Sequence, residues 1–128
     1  MKQEISRKNA LLVLNWCKTK FGQSSINGSG SYPKLVFHRS QQDPDGKLCL
    51  GGYEPWKNII EIYAHSFHKK NRRFLTFINT VIHEFTHYHQ PIKSKYFKYT
   101  NYDTNPLEIE ANQVAKKYQY ECYEKIFK

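Results

Sequence analysis

The chain has 128 residues, of which 39% are hydrophobic, and its 20 Lys and Arg against 11 Asp and Glu give a formal net charge of +9. This length is typical of one domain with a sizeable core, here expected over residues 1–128, and no apolar run approaches the roughly 18 residues that cross a membrane. The charge favours an anionic partner, either nucleic acid or an acidic protein, about as strongly as it favours a well-solvated surface.

The cysteines and the N-terminal region indicate a reducing compartment. Cys17, Cys49 and Cys122 are odd in number and lack paired spacing, which argues against a disulfide framework and against a thiolate metal site. We expect each of them to be a small core residue. No small-residue cleavage site follows the short apolar run near the N-terminus, so we predict no secretory signal and expect a cytoplasmic protein.

The first half of the chain is predicted to form one helix and three strands. Apolar residues spaced among charges favour an amphipathic helix over residues 4–20. The Gly- and Ser-rich stretch at 22–31 is predicted to be a flexible loop, and it lacks the lysine of a phosphate-binding P-loop. Strands are expected at 34–39, 48–53 and 58–65. A turn containing Pro and Asp-Gly separates the first two, and the sequence Glu-Pro-Trp-Lys joins the last two as a hairpin.

Two longer helices are predicted in the second half. Apolar residues recur at three- and four-residue steps from about residue 71 to residue 89, and Pro91 ends this helix. Residues 93–104 are predicted to be a polar, aromatic-rich loop. Asn105 and Pro106 then supply the cap and the first-turn proline of a helix that runs to about residue 127. The predicted fold class is α+β, with helices packed on a short mixed sheet of about three strands.

The stretch VIHEFTHYHQ, at residues 81–90, contains the pattern H-E-x-x-H. His83 and His87 are four residues apart on the predicted helix, so both side chains leave the same face and can bind one zinc ion, while Glu84 can reach a water molecule. His89 lies about 200° around the helix from His87 and is therefore expected to have no ligand role. The bare pattern also occurs by chance in unrelated proteins. Its position on an amphipathic helix that follows strands strengthens the prediction of a metal site.

A catalytic zinc ion needs a third protein ligand, and after His89 the chain contains no further histidine. The remaining ligand type is a carboxylate of the last helix. Glu108 shares its helix face with small or weakly polar residues, which favours it as the ligand, whereas Glu110 points toward a charged, solvated flank. Asn112, one turn after Glu108, is placed to support a ligating histidine. The alternative is that Glu108 only stabilises the N-terminus of the helix.

The motif HEFTH, followed by a helix with the pattern E-x-E-A-N-x-x-A, resembles the gluzincin metallopeptidases. The likeness is strongest to the small ImmA/IrrE-type and minigluzincin proteins, and it covers roughly residues 48–120. This resemblance implies a zincin-like fold, with an active-site helix followed by a glutamate helix. It also implies a substrate peptide bound in extended form along the strand near residues 48–53. The stretch 91–104 has no match in the family, and no second large subdomain is present.

The resemblance also assigns roles to individual residues. Zn²⁺ is expected on His83, His87 and Glu108, with Glu84 as general base and Asn112 behind the ligands. The family's oxyanion-stabilising tyrosine or histidine is not identified by position. Five tyrosines stay open for it: Tyr88, Tyr96, Tyr99, Tyr102 and Tyr118.

The leading hypothesis is a small intracellular zinc metalloprotease that acts on a peptide or protein substrate. Two basic runs, at 65–73 and 93–99, suggest as a first alternative a nucleic-acid-associated protease module of SprT-like character. His65 and His68 in the first run are expected to be exposed loop residues. The second alternative is a zinc-binding structural or assembly protein that keeps the fold without turnover.

Overall fold

The computed structural model describes residues 3–39, 49–69, 73–99 and 101–128. Within these ranges the chain forms an α+β structure with a small mixed sheet, which confirms the predicted fold class at this level. The described elements are α1 (Arg7–Phe21), β1 (Lys34–His38), β2 (Gly51–Glu54), β3 (Ile59–Tyr63), α2 (Ala64–Lys69), α3 (Phe74–Tyr88), α4 (Ile92–Lys95) and α5 (Pro106–Ile126).

The sheet has β3 at its centre, parallel to β1 and antiparallel to β2. Ile60 and Ile62 of β3 are completely buried, as expected for alternate residues on the core-facing side of a strand. The turn between β2 and β3 places Asn58 at a φ of 54°, a left-handed conformation that a short polar side chain tolerates. The predicted hairpin is therefore present, and β2 lies at one edge of the described sheet.

Helix α3 organises the core because it contacts α1, α5, β2 and β3. Its residues Ile78, Val81 and Ile82 are completely buried, and burial of such a side chain contributes about 1.5–3 kcal/mol. Gly51 allows β2 to lie close to this helix, since a Cβ atom at Gly51 would meet Thr80 Cγ2 at 2.9 Å. The packing therefore brings the edge strand against the helix that carries the H-E-x-x-H motif.

The ends of the long helices follow the predicted capping residues. Asn105 accepts a hydrogen bond from the amide of Leu107, and Pro106 occupies the first turn of α5, as the sequence predicts. The C-terminal end of α3 is capped in a way that the sequence does not predict. Asn27, only 2% exposed, donates hydrogen bonds of 2.7 Å to the carbonyl oxygens of Tyr88 and Gln90. The stretch 22–31, predicted to be a flexible loop, is thus attached to the core through Asn27.

Other predictions need correction. Residues 64–69 form the short helix α2, so His65 and His68 lie on a helix rather than in a loop; His65 is half-buried and His68 is exposed. Cys17 and Cys122 are buried in the core as predicted, but Cys49 is exposed. The predicted turn at 41–47 lies outside the described residues, as do residues 70–72 of the basic run at 65–73. No helix in the described ranges is both long and apolar enough to cross a membrane.

Candidate metal centre

The face of α3 that lies toward the cavity beside α5 carries His83 and His87 one turn apart. Their side chains are buried, and their Nε2 atoms lie 3.1 Å apart. Glu84 is also buried and follows His83 on the same helix. Ligand atoms of these three residues lie within 4.8 Å of one another, so the group could hold a metal ion.

Glu108 in the first turn of α5 completes the cluster. It is 5% exposed, and its Oε1 lies 2.9 Å from His83 Nε2 and 3.0 Å from His87 Nε2. Each of the three atoms is therefore about 3 Å from the other two. The structure thus brings together the residues that the sequence predicts as ligands, and it places Glu84 beside them.

The two buried carboxyl groups differ in their pKa values. Burial raises the pKa of Glu84, and the nearby charges of His83 and His87 offset this only in part. Burial acts on Glu108 in the same direction, but hydrogen bonds from both histidines outweigh it and hold its pKa far below the usual range. Burial lowers the pKa of His87, yet its hydrogen bond to Glu108 and the charge of Glu84 leave it raised. In the metal-free protein, Glu108 is consequently an anion that lies between the two imidazole rings.

Tyr96 reaches this cluster from the segment that follows α4. Its hydroxyl donates a hydrogen bond of 2.5 Å to Glu108 Oε2, the oxygen that faces away from the histidines. Burial and this hydrogen bond raise the pKa of Tyr96, so the hydroxyl keeps its proton at neutral pH. Tyr102 lines the same cavity, and burial together with the charge of Glu108 raises the pKa of Tyr102 to about 12.

The other three tyrosines that the sequence left open are not brought to the cluster. Tyr88 is buried, and its hydroxyl donates to the carbonyl oxygen of Ser31 and accepts from the amide of Ser24. Tyr118 packs edge-on against Phe21, on the other side of α3. Tyr99 is 46% exposed and does not line the cavity next to the histidines.

The structure does not place Asn112 in the supporting role that the sequence predicts. Its side chain is exposed, and among the described residues it makes no hydrogen bond with either histidine. One helical turn carries Asn112 about 6 Å along α5 from Glu108, and Asn112 lines a second cavity next to His83 without a hydrogen bond to it. Gln90 occupies the supporting position instead, with its Oε1 at 2.6 Å from His87 Nδ1.

His89 and Glu110, for which the sequence predicts no ligand role, form hydrogen bonds elsewhere. His89 forms a hydrogen bond of 2.9 Å with the carbonyl oxygen of Gly22. Glu110 is exposed, but it is not simply a solvated flank, because its Oε1 accepts a hydrogen bond of 2.6 Å from Gln90 Nε2. The contact of Gln90 was not predicted; the only signal for it is a glutamine between the helix and Pro91.

A cavity of about 360 Å³ opens beside the cluster. One wall is formed by β2, whose residues Gly51, Gly52 and Tyr53 line it, and the opposite wall includes Ile92 and Tyr96. Within the described residues β2 pairs with β3 alone and is an edge strand of the sheet. The cluster therefore lies in a cavity that an edge strand also lines.

Comparison of the chain with protein-family models, with curated proteins and with solved structures gives no significant match. We therefore infer function from the geometry of this cluster and from the residues around it.

Proposed function

We propose that the protein is a zinc-dependent metallopeptidase with a zincin-like fold, in which His83, His87 and Glu108 bind the ion. The observation that carries this proposal is the triangle of His83 Nε2, His87 Nε2 and Glu108 Oε1, with sides of 2.9, 3.0 and 3.1 Å. In a tetrahedral zinc site with bonds of about 2.0–2.2 Å, ligand atoms lie about 3.3–3.6 Å apart. A movement of about half an ångström separates the observed triangle from that spacing, so the residues present fit the ion.

The donor set also favours zinc and a hydrolytic role. Two imidazoles and one carboxylate are the ligands of several catalytic zinc sites, which keep a fourth position open for a water molecule or the substrate. Glu84, also buried and near the two histidines, is an alternative third ligand. We assign the ligand role to Glu108 because its oxygen contacts both Nε2 atoms, whereas Glu84 makes no hydrogen bond with either ring among the described residues.

Glu84 is then the general base. A bound zinc ion supplies Lewis acidity, which lowers the pKa of a water molecule and polarises a peptide carbonyl group. Glu84 accepts the proton of the attacking water and delivers it to the amide nitrogen that leaves. Its raised pKa suits this task, because a carboxylate with a raised pKa holds a proton more firmly between the two transfers.

Tyr96 is the residue that we assign to the oxyanion. Its hydroxyl group lies next to Glu108 Oε2 and keeps its proton at neutral pH because its pKa is raised. This single donor would turn from Glu108 Oε2 to the carbonyl oxygen of a bound substrate, where it can stabilise the charge that develops. Tyr102 is the second donor that lines the cavity.

The substrate is proposed to be an extended peptide that pairs with the free edge of β2. Such a peptide gains main-chain hydrogen bonds from an edge strand without needing a particular sequence. Gly51 and Gly52 line the cavity and carry no side chain that would cover the backbone of this edge. This geometry favours unfolded segments over folded proteins as substrates.

The test is hydrolysis of an unfolded protein such as casein, and of a peptide library, by zinc-loaded protein. The wild type should cleave, a chelator should stop cleavage, and added Zn²⁺ should restore it. Glu84→Gln should keep one zinc ion while its rate falls ~100- to 10,000-fold, since it loses only the base. If the wild type binds zinc but behaves like Glu84→Gln toward every substrate, the structural-protein alternative replaces the peptidase proposal.

A surface beside the cavity favours association with nucleic acid as a second candidate function. Lys93, Lys95 and Lys98 are exposed, and between them Phe97 is 70% exposed and stacks on the exposed ring of Trp56. Lysines that alternate with exposed aromatic rings bind single-stranded nucleic acid by contacting phosphates and stacking on bases. Such binding would hold the peptidase near proteins on nucleic acid.

Single-stranded DNA binding measured over a salt series tests this candidate. Replacing the three lysines by alanine should weaken binding and reduce its salt dependence, because fewer counterions are released. A matched variant that removes three exposed lysines of α5, Lys116, Lys117 and Lys125, is the control for net charge. Equal loss of binding in both variants, or no binding at low salt, would overturn the assignment of this surface.

A further inference from the structure

The side chain of Gln90 lies between the two helices that carry the proposed metal ligands. Gln90 follows α3 and is only 3% exposed. Its Oε1 lies 2.6 Å from His87 Nδ1, and its Nε2 donates to the carbonyl oxygen of Leu107 at 3.0 Å and to Glu110 Oε1 at 2.6 Å. Every polar atom of this amide therefore has a partner, and the partners belong to both helices.

The contacts on α5 determine which way the amide of Gln90 points. Leu107 O and Glu110 Oε1 only accept hydrogen bonds, so the NH₂ group must face them and the oxygen must face His87. The reverse orientation would direct the Gln90 oxygen at a carbonyl oxygen and at a carboxylate. Glu110 and Leu107 thus fix the acceptor that meets His87, although neither touches the ring.

This orientation has a consequence for His87. Because Gln90 Oε1 can only accept, the ring nitrogen that faces it, Nδ1, carries a proton. The other nitrogen, Nε2, is directed at His83 Nε2 and Glu108 Oε1, the remaining corners of the triangle. A neutral imidazole with its proton on Nδ1 offers the Nε2 lone pair to a metal ion.

We propose that Glu110 and Gln90 form a positioning pair that holds His87 in the tautomer and ring orientation that bind the metal ion. This inference depends on the proposed function, since it takes His87 as a ligand. It assigns to Gln90 the support that the sequence predicted for Asn112. It also gives Glu110, two residues after the ligand Glu108, a part in metal binding without contact with the ion.

The experiment compares zinc dissociation constants, measured by competition with a chelator, with the thermal stability of the metal-free variants. Gln90→Met has a similar size but neither accepts from His87 nor donates to Glu110, and it should weaken zinc binding ~10- to 100-fold. Glu110→Ala should weaken it less, because Leu107 O still orients the amide. Asn112→Ala is the matched control on α5 and should bind zinc like the wild type.

A rescue variant separates positioning from general packing. Gln90→Glu alone keeps an acceptor for His87 but sets two carboxylates against each other, so it should bind zinc poorly. The double variant Gln90→Glu/Glu110→Gln restores the donor at position 110 and should regain part of the lost affinity, since only the contact with Leu107 O then lacks a donor. NMR of the zinc-loaded wild type should show a His87 Nδ1 proton that exchanges slowly with water, and Gln90→Met should lose this protection.

The outcomes distinguish this inference from the proposed function. If the wild type binds no zinc, the proposed function fails and the positioning role fails with it. If the wild type binds zinc and Gln90→Met has the same dissociation constant and the same protected proton, only the positioning role is overturned. A fall in zinc affinity that follows the metal-free stability in every variant, with no rescue by the double variant, would also overturn it.

Discussion

The middle of α3 and the first turn of α5 each bury one glutamate, and the surroundings of the two side chains have opposite effects. Glu84 is 6% exposed and Glu108 is 5% exposed, so burial alone should raise both pKa values. It does so for Glu84, but His83, His87 and Tyr96 all form hydrogen bonds to Glu108 and lower its pKa. Equal burial thus accompanies different roles, and the number of donors in contact separates the proposed ligand from the proposed base.

The largest expected difference between the two glutamates is in zinc binding. Glu108→Ala removes the oxygen that lies about 3 Å from both histidines, so tight zinc binding should be lost altogether. Glu84→Gln should keep one zinc ion per chain, because in our proposal Glu84 acts on the water and not on the metal. Elemental analysis after gel filtration checks both variants. Zinc retained by Glu108→Ala and lost by Glu84→Gln would reverse the two roles.

A smaller effect concerns one donor that distinguishes Glu108. Tyr96→Phe removes the hydroxyl that donates to Glu108 Oε2 in this structure. In our proposal the same hydroxyl donates to the oxyanion when substrate is bound. The catalytic rate should fall ~100- to 1,000-fold while zinc stays bound. Tyr99→Phe, which changes an exposed tyrosine in the same segment, is the matched control and should keep wild-type activity. Similar rates for Tyr96→Phe and wild type would move the oxyanion role to Tyr102.

The smallest effect is on the stability of the metal-free protein at different pH values. The pKa of Glu108 is lowered on folding, so its contribution to stability is present above the unfolded pKa of about 4.3 and is lost as the pH falls through the folded value. The pKa of Glu84 is raised, so its contribution has the opposite sign: it is full below about pH 4.3 and is lost as the pH rises through the folded value.

Two variants measured by urea unfolding should therefore differ at neutral pH. Glu108→Gln should be less stable than the wild type by about 1–3 kcal/mol, because a charged acceptor of several hydrogen bonds is lost. Glu84→Gln should be as stable as the wild type or more stable, because it removes a buried charge. The Glu108→Gln difference should shrink as the pH falls below about 4, whereas the Glu84→Gln difference should shrink at higher pH, as the pH falls through the raised pKa of Glu84. A loss of stability in Glu84→Gln equal to that in Glu108→Gln would contradict the comparison.

Helix geometry explains how much of the candidate site could be predicted from the sequence. The spacing of His83 and His87 places them on one face of any α-helix, so their proximity needs no knowledge of the rest of the fold. The choice of Glu108 over Glu110 followed from the small residues that share its face of α5. Those residues do allow a close approach, since Ala111 and Ala115 are completely buried.

The parts that could not be predicted depend on contacts between elements distant in sequence. Asn112 shares the helix face of Glu108, but in the folded chain Gln90, which follows α3, is the residue that contacts His87. The contact of 22–31 with the core depends on Asn27, whose side chain donates to the carbonyl oxygen of Tyr88, 61 residues later in the chain. The selection of Tyr96 among five tyrosines depends on the path of the segment after α4.

The most direct test of the central claim is X-ray absorption spectroscopy at the zinc edge of the zinc-loaded protein. We expect one zinc ion with two imidazole nitrogens and oxygen ligands at about 2.0–2.2 Å, and with no sulfur. Glu84→Gln should leave the spectrum of the protein ligands unchanged. Cys49 lines the same cavity, so it is the nearest described source of a sulfur ligand. A zinc–sulfur distance of about 2.3 Å, or a site with fewer than two imidazoles, would contradict the account.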